Sequence, residues 1–299
     1  MQPLSGKHFA LSVYIRTSAA EATLRRTLRE TWVAEARALG IKQLSKIYFM
    51  FVIFVAAKVR NVTEQRLVEL EAHRQGDILL LDSFYDAYRN LSVKTREIMR
   101  WHVANEPEKP IQTLFVWTNT DGLVFPRHLL SYVQQRNVSS QSGVIHGQCT
   151  CPGRCRSRNG PLPQRSPKDK WFMPKYVYPY SHYPHYCMGY TVLFSPGCIR
   201  PLVRVANQRT VRYLMDNWID DVTYTGIFAQ EAQLSLSPHG AFAGQLSSLG
   251  CGSCVAMHVN TNKKHETIRR QYEIYKSRYT SSRTKAGKLV QSLGPFRYA

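Results

Sequence analysis

Two adjacent carboxylates, Asp220 and Asp221, follow Trp218-Ile219 and open a stretch that reads as a helix from Asp220 to Gln230. A carboxylate at a helix head accepts free backbone N–H groups and is held ionised and oriented there. That is the state a general base needs to take a proton from a hydroxyl group. An acidic cap and a base are therefore compatible readings of one pair. Asp121 stands before Gly122 at the end of an apolar strand. It is either a turn residue or an oxygen ligand for a hard cation. Arg25 and Arg29 lie four apart and share a helix face beside Trp32. Such a pair can meet phosphate, or can form a solvated basic face over a core tryptophan. Seven cysteines include Cys149, Cys151 and Cys155 in one loop and the C-x-x-C of Cys251 and Cys254. Structural zinc and disulfides or free thiols both remain open for them.

The elements that must position these residues are legible in the periodicity. Strands are predicted at residues 9–15, Ile47–Val55, Asp77–Leu81 and Ile111–Thr118. Helices fall between them: Ala19–Leu39, ended by Gly40; Thr63–Gln75, with Leu67, Leu70 and Glu71 on its face; and Leu91–Val103. This β-α-β-α-β-α-β order predicts an α/β fold, a mainly parallel sheet with helices on both faces. Further on, Pro126–Gln135 reads as a helix, Gly143–His146 as a strand, and residues 149–170 as a basic Pro/Gly loop. Thr191–Phe194 is a predicted strand, and Cys198–Asn207 and His265–Tyr279 are predicted helices. No repeat or clean linker is visible. One domain over residues 1–299 is expected, with its core at about 9–262 and a basic helix and tail over 263–299.

Composition bounds the partners. Forty basic residues against twenty acidic ones give a formal charge of +20 in a chain that is 43% hydrophobic. Such a chain can bury a core, and it favours anionic partners such as phosphate-bearing ligands. No nucleic-acid-binding motif accompanies the charge, so nucleic acid is not an expected partner. The most apolar run, Ile47–Ala57, is too short to cross a bilayer, which takes about twenty residues. No signal peptide, P-loop, G-x-G-x-x-G or Ser/His/Asp arrangement is legible. Sequons at Asn61, Asn90 and Asn137 are compatible with a secretory lumen.

The stretch Gly76–Thr95, GDILLLDSFYDAYRNLSVKT, resembles a signature of the inverting β-1,3-glycosyltransferases. That family reads D-I/V-L-x-x-D, an aromatic turn, then N-L-T-x-K-T. Arg25, Arg29, Thr31 and Trp32 match its R-x-x-x-R-x-T-W motif. Lys170-Trp171-Phe172-Met173-Pro174 and Tyr183–Tyr190 resemble its K-W-Y-V-P and Y-P-P-Y-C-S-G-x-G-Y motifs. Trp218–Gly226 is similar to its E/D-D-V-x-x-G motif, and His258 falls where the family has a histidine after its final core strand. The family's acidic triplet D-D-D reads Asn119-Thr120-Asp121 here.

The resemblance implies a GT-A-like fold. It implies transfer of galactose or N-acetylglucosamine from a UDP-sugar to a glycan hydroxyl, forming a β-1,3 bond with inversion. Asp221 is then the base, with Asp220 second. Arg25, Arg29, Asp82, Asn119 and Asp121 would serve the donor, and Trp171, Tyr186, Gly189 and Tyr190 the acceptor on a glycoprotein or glycolipid. Asp121 and His258 would hold Mn²⁺. A Golgi lumen location is implied, with membrane association through a segment absent from this chain. The altered triplet keeps open a second reading, an inactive relative that binds glycan or partners a transferase.

Overall fold

The computed structural model describes residues 9–42, 48–106, 112–151, 159–243, 254–260 and 262–277. Cys155, Cys251 and the tail beyond 277 lie outside the described residues.

A seven-stranded sheet forms the centre, in the order β3-β2-β1-β4-β7-β6-β8. The strands are β1 (Phe9–Arg16), β2 (Tyr48–Lys58), β3 (Ile78–Tyr85), β4 (Gln112–Asn119), β6 (Val144–Cys149), β7 (Cys187–Phe194) and β8 (Ser235–Pro238). The first four are parallel, and β7 runs antiparallel to both neighbours. The sheet is thus mixed but mainly parallel, as the strand–helix alternation predicts.

Strand β1 explains the two cores. Its side chains alternate, so Leu11, Val13 and Ile15 enter one layer and Tyr14 the other. The first layer is covered by α1 (Ala22–Glu30) and α2 (Trp32–Lys42), which contribute Leu28, Trp32, Val33 and Ala36. Helix α5 (Pro126–Gln135) adds Leu129 and Val133. The second layer is covered by α4 (Leu91–Ala104) and α6 (Ile199–Asn207), through Ile98, Met99 and Leu202. A strand buried on both faces reads as a continuous apolar run.

Four departures from the sequence reading have local causes. The predicted helix over Ala19–Leu39 is broken at Thr31, whose φ of −115° and ψ of −118° leave the helical region. The Thr31 hydroxyl donates to the Thr27 carbonyl at 2.7 Å, a back-bond that bends helices. Gly40 does not end α2, which runs on to Lys42. In α3 (Val62–Gln75) the buried apolar residue is Val68, while Leu67 and Leu70 are exposed. The helix expected over Asp220–Gln230 does begin at Asp220, but it departs from regular α geometry in a π-helical turn, Val222–Ile227, before the α-helical residues Phe228–Glu231. Such turns recur at functional sites because they re-aim the residue beside them.

A second sheet pairs β5 (Gly122–Val124), β9 (Phe242–Ala243) and β10 (Ala256–His258) in the order β5-β10-β9. Its register sets His258 opposite Gly122, next to Asp121. A last helix, residues 264–277, packs Ile268, Tyr272 and Tyr275 into the first core layer. The expected division at 262 therefore sets apart a helix that packing joins to the core.

Cys149 and Cys187 form a disulfide between the ends of β6 and β7, and Cys151 and Cys254 are each in a disulfide as well. Cys198 is a buried free thiol. The cysteines for which zinc stood open are thus disulfide partners wherever they are described.

Candidate active site

Open α/β sheets place ligands beyond the carboxyl ends of their strands, where the strand order reverses. Here β1 and β4 are neighbours whose connections leave in opposite directions. A cleft of about 610 Å³ opens at this point. Arg16 and Asn119, the last residues of β1 and β4, line it together with Asp121, Gly189, Asp220, Asp221, His258 and Lys264.

Asp220 and Asp221 sit side by side but in different surroundings. Asp220 is buried and ion-paired to Arg16, and it accepts a hydrogen bond from Thr95 at 3.1 Å. Arg16 donates to Asn119 Oδ1 at 2.9 Å and to the Gly189 carbonyl at 2.6 Å, and lies over Trp117. Asp220 is therefore fixed as a counter-ion. Asp221 accepts from the Val222 N–H at 2.9 Å and the Gly189 N–H at 3.2 Å, with no cation paired to it among the described residues. Burial, followed by repulsion from Asp220, pushes its carboxyl up to about 7; the two N–H groups and Arg16 oppose that shift. Two carboxylates whose environments diverge have divergent roles. Asp221 has the proton affinity of a base that works near neutrality. A Cβ added to Gly189 would stand 3.1 Å from Asp221 Cβ and 3.5 Å from Oδ2, so glycine is what lets β7 lie against this carboxylate.

Asp121 occupies another part of the wall. Its Oδ2 receives the Lys264 ammonium at 2.8 Å and lies 3.5 Å from His258 Nε2. Burial raises its proton affinity, but hydrogen bonds and charge from His258 and Lys264 outweigh that and hold the carboxyl at about 2. Asp121 Oδ1 is buried and finds no hydrogen-bond partner among the described residues. The His258 ring stacks on Tyr190, with centroids 5.4 Å apart.

A hard divalent cation takes several oxygen donors. At the triplet this wall keeps one carboxylate, Asp121, already met by an ammonium. Asn119 Oδ1 accepts from Arg16, and the Thr120 hydroxyl donates to Glu21 at 2.9 Å. Among the described residues no group of three or more His, Cys, Asp or Glu side chains could hold a metal ion. The side chains present do not fit the Mn²⁺ that the resemblance implies.

Of the expected acceptor residues, Trp171, Gly189 and Tyr190 line the cleft. Trp171 stacks on Trp218 at 5.6 Å, and Tyr88 lies 5.2 Å from Trp218, making an aromatic wall beside the carboxylates. Tyr186 is not a lining residue; it packs on Tyr183 and under Gly226. Of the expected donor residues, Asp82 is exposed on β3 and does not reach the cleft.

Arg25 and Arg29 do not line the cleft either. The guanidinium of Arg25 is fully buried and donates to both oxygens of Glu71, to Thr17 and to the Ala19 carbonyl. Arg29 pairs with Glu71 at 2.6 Å and Asp77 at 2.8 Å. Their shared helix face holds α3 and the start of β3 against α1, and Arg25 braces the Thr17–Ala19 turn below the cleft. Arg29→Met is expected to lower folding stability by about 2 kcal/mol, since Asp77 keeps Arg37 and Glu71 keeps Arg25. Urea unfolding should show that loss, with UDP affinity unchanged in calorimetry. An affinity loss without a stability loss would return Arg29 to the donor.

Sequence reasoning missed Arg16, Lys264, and the buried pair Lys94–Asp86 at 2.8 Å. Lys94 also donates to the Thr17 carbonyl at 3.0 Å, tying α4 to the exit of β1. A basic residue closing an otherwise apolar first strand, FALSVYIR, was the available signal for Arg16.

These features define a mainly parallel α/β protein with a polar, aromatic-walled ligand cleft at its switch point. Residues 23–239 match the family model described as galactosyltransferase, most of the 299-residue chain. The chain belongs to the galactosyltransferase family. A beta-1,3-galactosyltransferase 1 from Mus musculus is 28% identical over 214 residues, which cover 70% of this chain and 58% of that protein. Beta-1,3-galactosyltransferase 2 from Homo sapiens is 24% identical over 257 residues, covering 86% of this chain and 56% of that protein. The chain thus spans somewhat over half the length of these relatives. Among solved structures, mouse xyloside xylosyltransferase 1 aligns with a TM-score of 0.37 at 10% identity, covering 85% of this chain and 98% of that one.

Proposed function

We propose that the cleft transfers galactose or N-acetylglucosamine from a UDP-sugar to a hydroxyl of a glycan, forming a β-1,3 bond with inversion. The observation that carries this is Asp221: a cleft-lining carboxylate, without a cation partner among the described residues, with its proton affinity raised to about 7. The acceptor oxygen attacks the anomeric carbon while Asp221 takes the hydroxyl proton. The new carbon–oxygen bond forms as the bond from the anomeric carbon to phosphate breaks, and its electron pair leaves with UDP. One displacement inverts the centre, and a single base suffices. Trp171 and Tyr88, exposed and backed by the buried Trp218, supply aromatic surface of the kind on which sugars stack.

The disulfides support a secretory compartment, since such bonds persist where the medium is oxidising. Among the described residues no helix is long and apolar enough to cross a membrane. We place the reaction in the Golgi lumen on the strength of the family.

The test is a transfer assay with UDP-galactose and UDP-N-acetylglucosamine against acceptors ending in galactose, N-acetylglucosamine or N-acetylgalactosamine. The expected product carries a β-linked sugar at a 3-hydroxyl, read by proton NMR. An α-linked product would refute the single-displacement mechanism. UDP binding without transfer to any acceptor would favour the inactive, glycan-binding relative that the altered triplet Asn119-Thr120-Asp121 keeps open.

A further inference from the structure

A diphosphate in this cleft needs positive charge, and most of the cations lining it are already committed. Arg16 is consumed by Asp220, Asn119 and the Gly189 carbonyl. Lys94 is buried between Asp86 and the Thr17 carbonyl. Lys170 lies over the rings of Tyr88 and Trp171, on the aromatic wall. The triplet that would gather a divalent cation is reduced to one carboxylate. Beside that carboxylate the chain places an ammonium at 2.8 Å and an imidazole at 3.5 Å.

We propose that Lys264, backed by His258, is a resident cation standing in for the divalent metal, so that this cleft binds a nucleoside diphosphate without one. The inference rests on the UDP-sugar reading above and concerns how that site meets its phosphates.

Three features of the fold deliver this cation. The β5–β10 register sets His258 across from Gly122, and the Val259 N–H donates to the Asp121 carbonyl at 2.8 Å. That fixes the imidazole beside the carboxylate. The helix over 264–277 is anchored by Ile268 and Tyr272 in the core, so its first residue is held at the cleft rim rather than swinging in solvent. The Lys264 side chain keeps 35% of its surface exposed, so one side of the ammonium grips Asp121 and the rest remains open to a ligand. An ammonium has three donors, and one bond to Asp121 leaves two for phosphate oxygens. Asp121 then acts as a positioning residue for Lys264. A dication brought to the same carboxylate would have to displace this ammonium or sit beside it against its charge. Losing the first two acidic positions is consistent with that exchange: a smaller positive charge needs fewer negative ligands around it.

The experiment is calorimetric titration of UDP into the full chain, in chelator and in Mn²⁺, for the native protein, Lys264→Ala and Lys264→Arg. Native protein is expected to bind UDP in chelator within about threefold of its affinity in Mn²⁺. Lys264→Ala should lose about tenfold in chelator, the loss of one charge-assisted contact, and Lys264→Arg should recover most of it. Binding only in the presence of Mn²⁺ would overturn the inference and leave the UDP-sugar reading standing. So would unchanged affinity in Lys264→Ala. Absence of UDP binding in every condition would overturn both. Circular dichroism of each variant confirms that the fold is kept.

Discussion

Asp221→Asn is expected to lower transfer by about 10²- to 10⁴-fold, the usual contribution of a positioned base, with UDP affinity unchanged. Asparagine keeps the shape of the side chain and one oxygen for the Val222 or Gly189 N–H. It cannot take the acceptor proton. The pH dependence gives an independent check. With the carboxyl raised to about 7, the base is largely protonated in acid, so native activity should climb through neutrality and level off above it. Stability should follow the opposite course. The folded protein holds a proton that the unfolded chain releases near 3.8, so this contribution is full below that value and fades as pH rises toward 7. The Asn variant should lack that downward slope and be the more stable form above neutrality, because a buried negative charge beside Asp220 is gone. Equal slopes in the two proteins, or native activity flat from pH 5 to 8, would exclude Asp221 as the base.

The parallel half of the fold was legible because its strands are apolar runs and α2 and α4 carry buried apolar stripes, whereas α3 buries only Val68. What escaped was short or atypical. β9 has two residues and β10 three, too few for a period to show, yet they bring His258 to Asp121. The first half of β7, Cys187–Tyr190, was hidden in a Tyr/Pro-rich stretch, where the pairing with β6 and the Cys149–Cys187 bond decide the conformation. The helix break at Thr31 depends on a side-chain bond that propensity does not encode.

The site divides the same way. Asp121, Asp221, Gly189 and His258 were readable from motif positions, since each is tied to a local turn or strand end. Arg16 was not, because its meaning comes from Asp220, 204 residues further along. Arg25 and Arg29 show the converse. Helical spacing correctly put them on one face, and the partner the structure gives that face is Glu71 of α3. A charge pattern specifies that a cation is present. The fold decides which anion it meets.

That dependence makes Arg16→Met the other change with a large expected effect. Arg16 and Asp220 are both buried, with side chains 5% and 8% exposed. Methionine can fill the space over Trp117 but leaves Asp220 as a buried carboxylate whose remaining side-chain partner among the described residues is the Thr95 hydroxyl. Breaking one side of such a pair costs about 3–5 kcal/mol, mostly the cost of the stranded charge. The double variant Arg16→Met/Asp220→Asn removes both charges and should recover at least half of that loss, since replacing both partners is far cheaper than orphaning one. The double variant also isolates the neighbour's effect on the base. Repulsion from Asp220 raises the Asp221 carboxyl more than Arg16 lowers it, so removing both should move the activity midpoint to lower pH. Urea unfolding and a pH–rate profile on the same three proteins test both statements. A single variant as stable as the native chain would mean that Arg16 does not compensate Asp220. A midpoint that stays put in the double variant would mean that burial alone sets the proton affinity of Asp221.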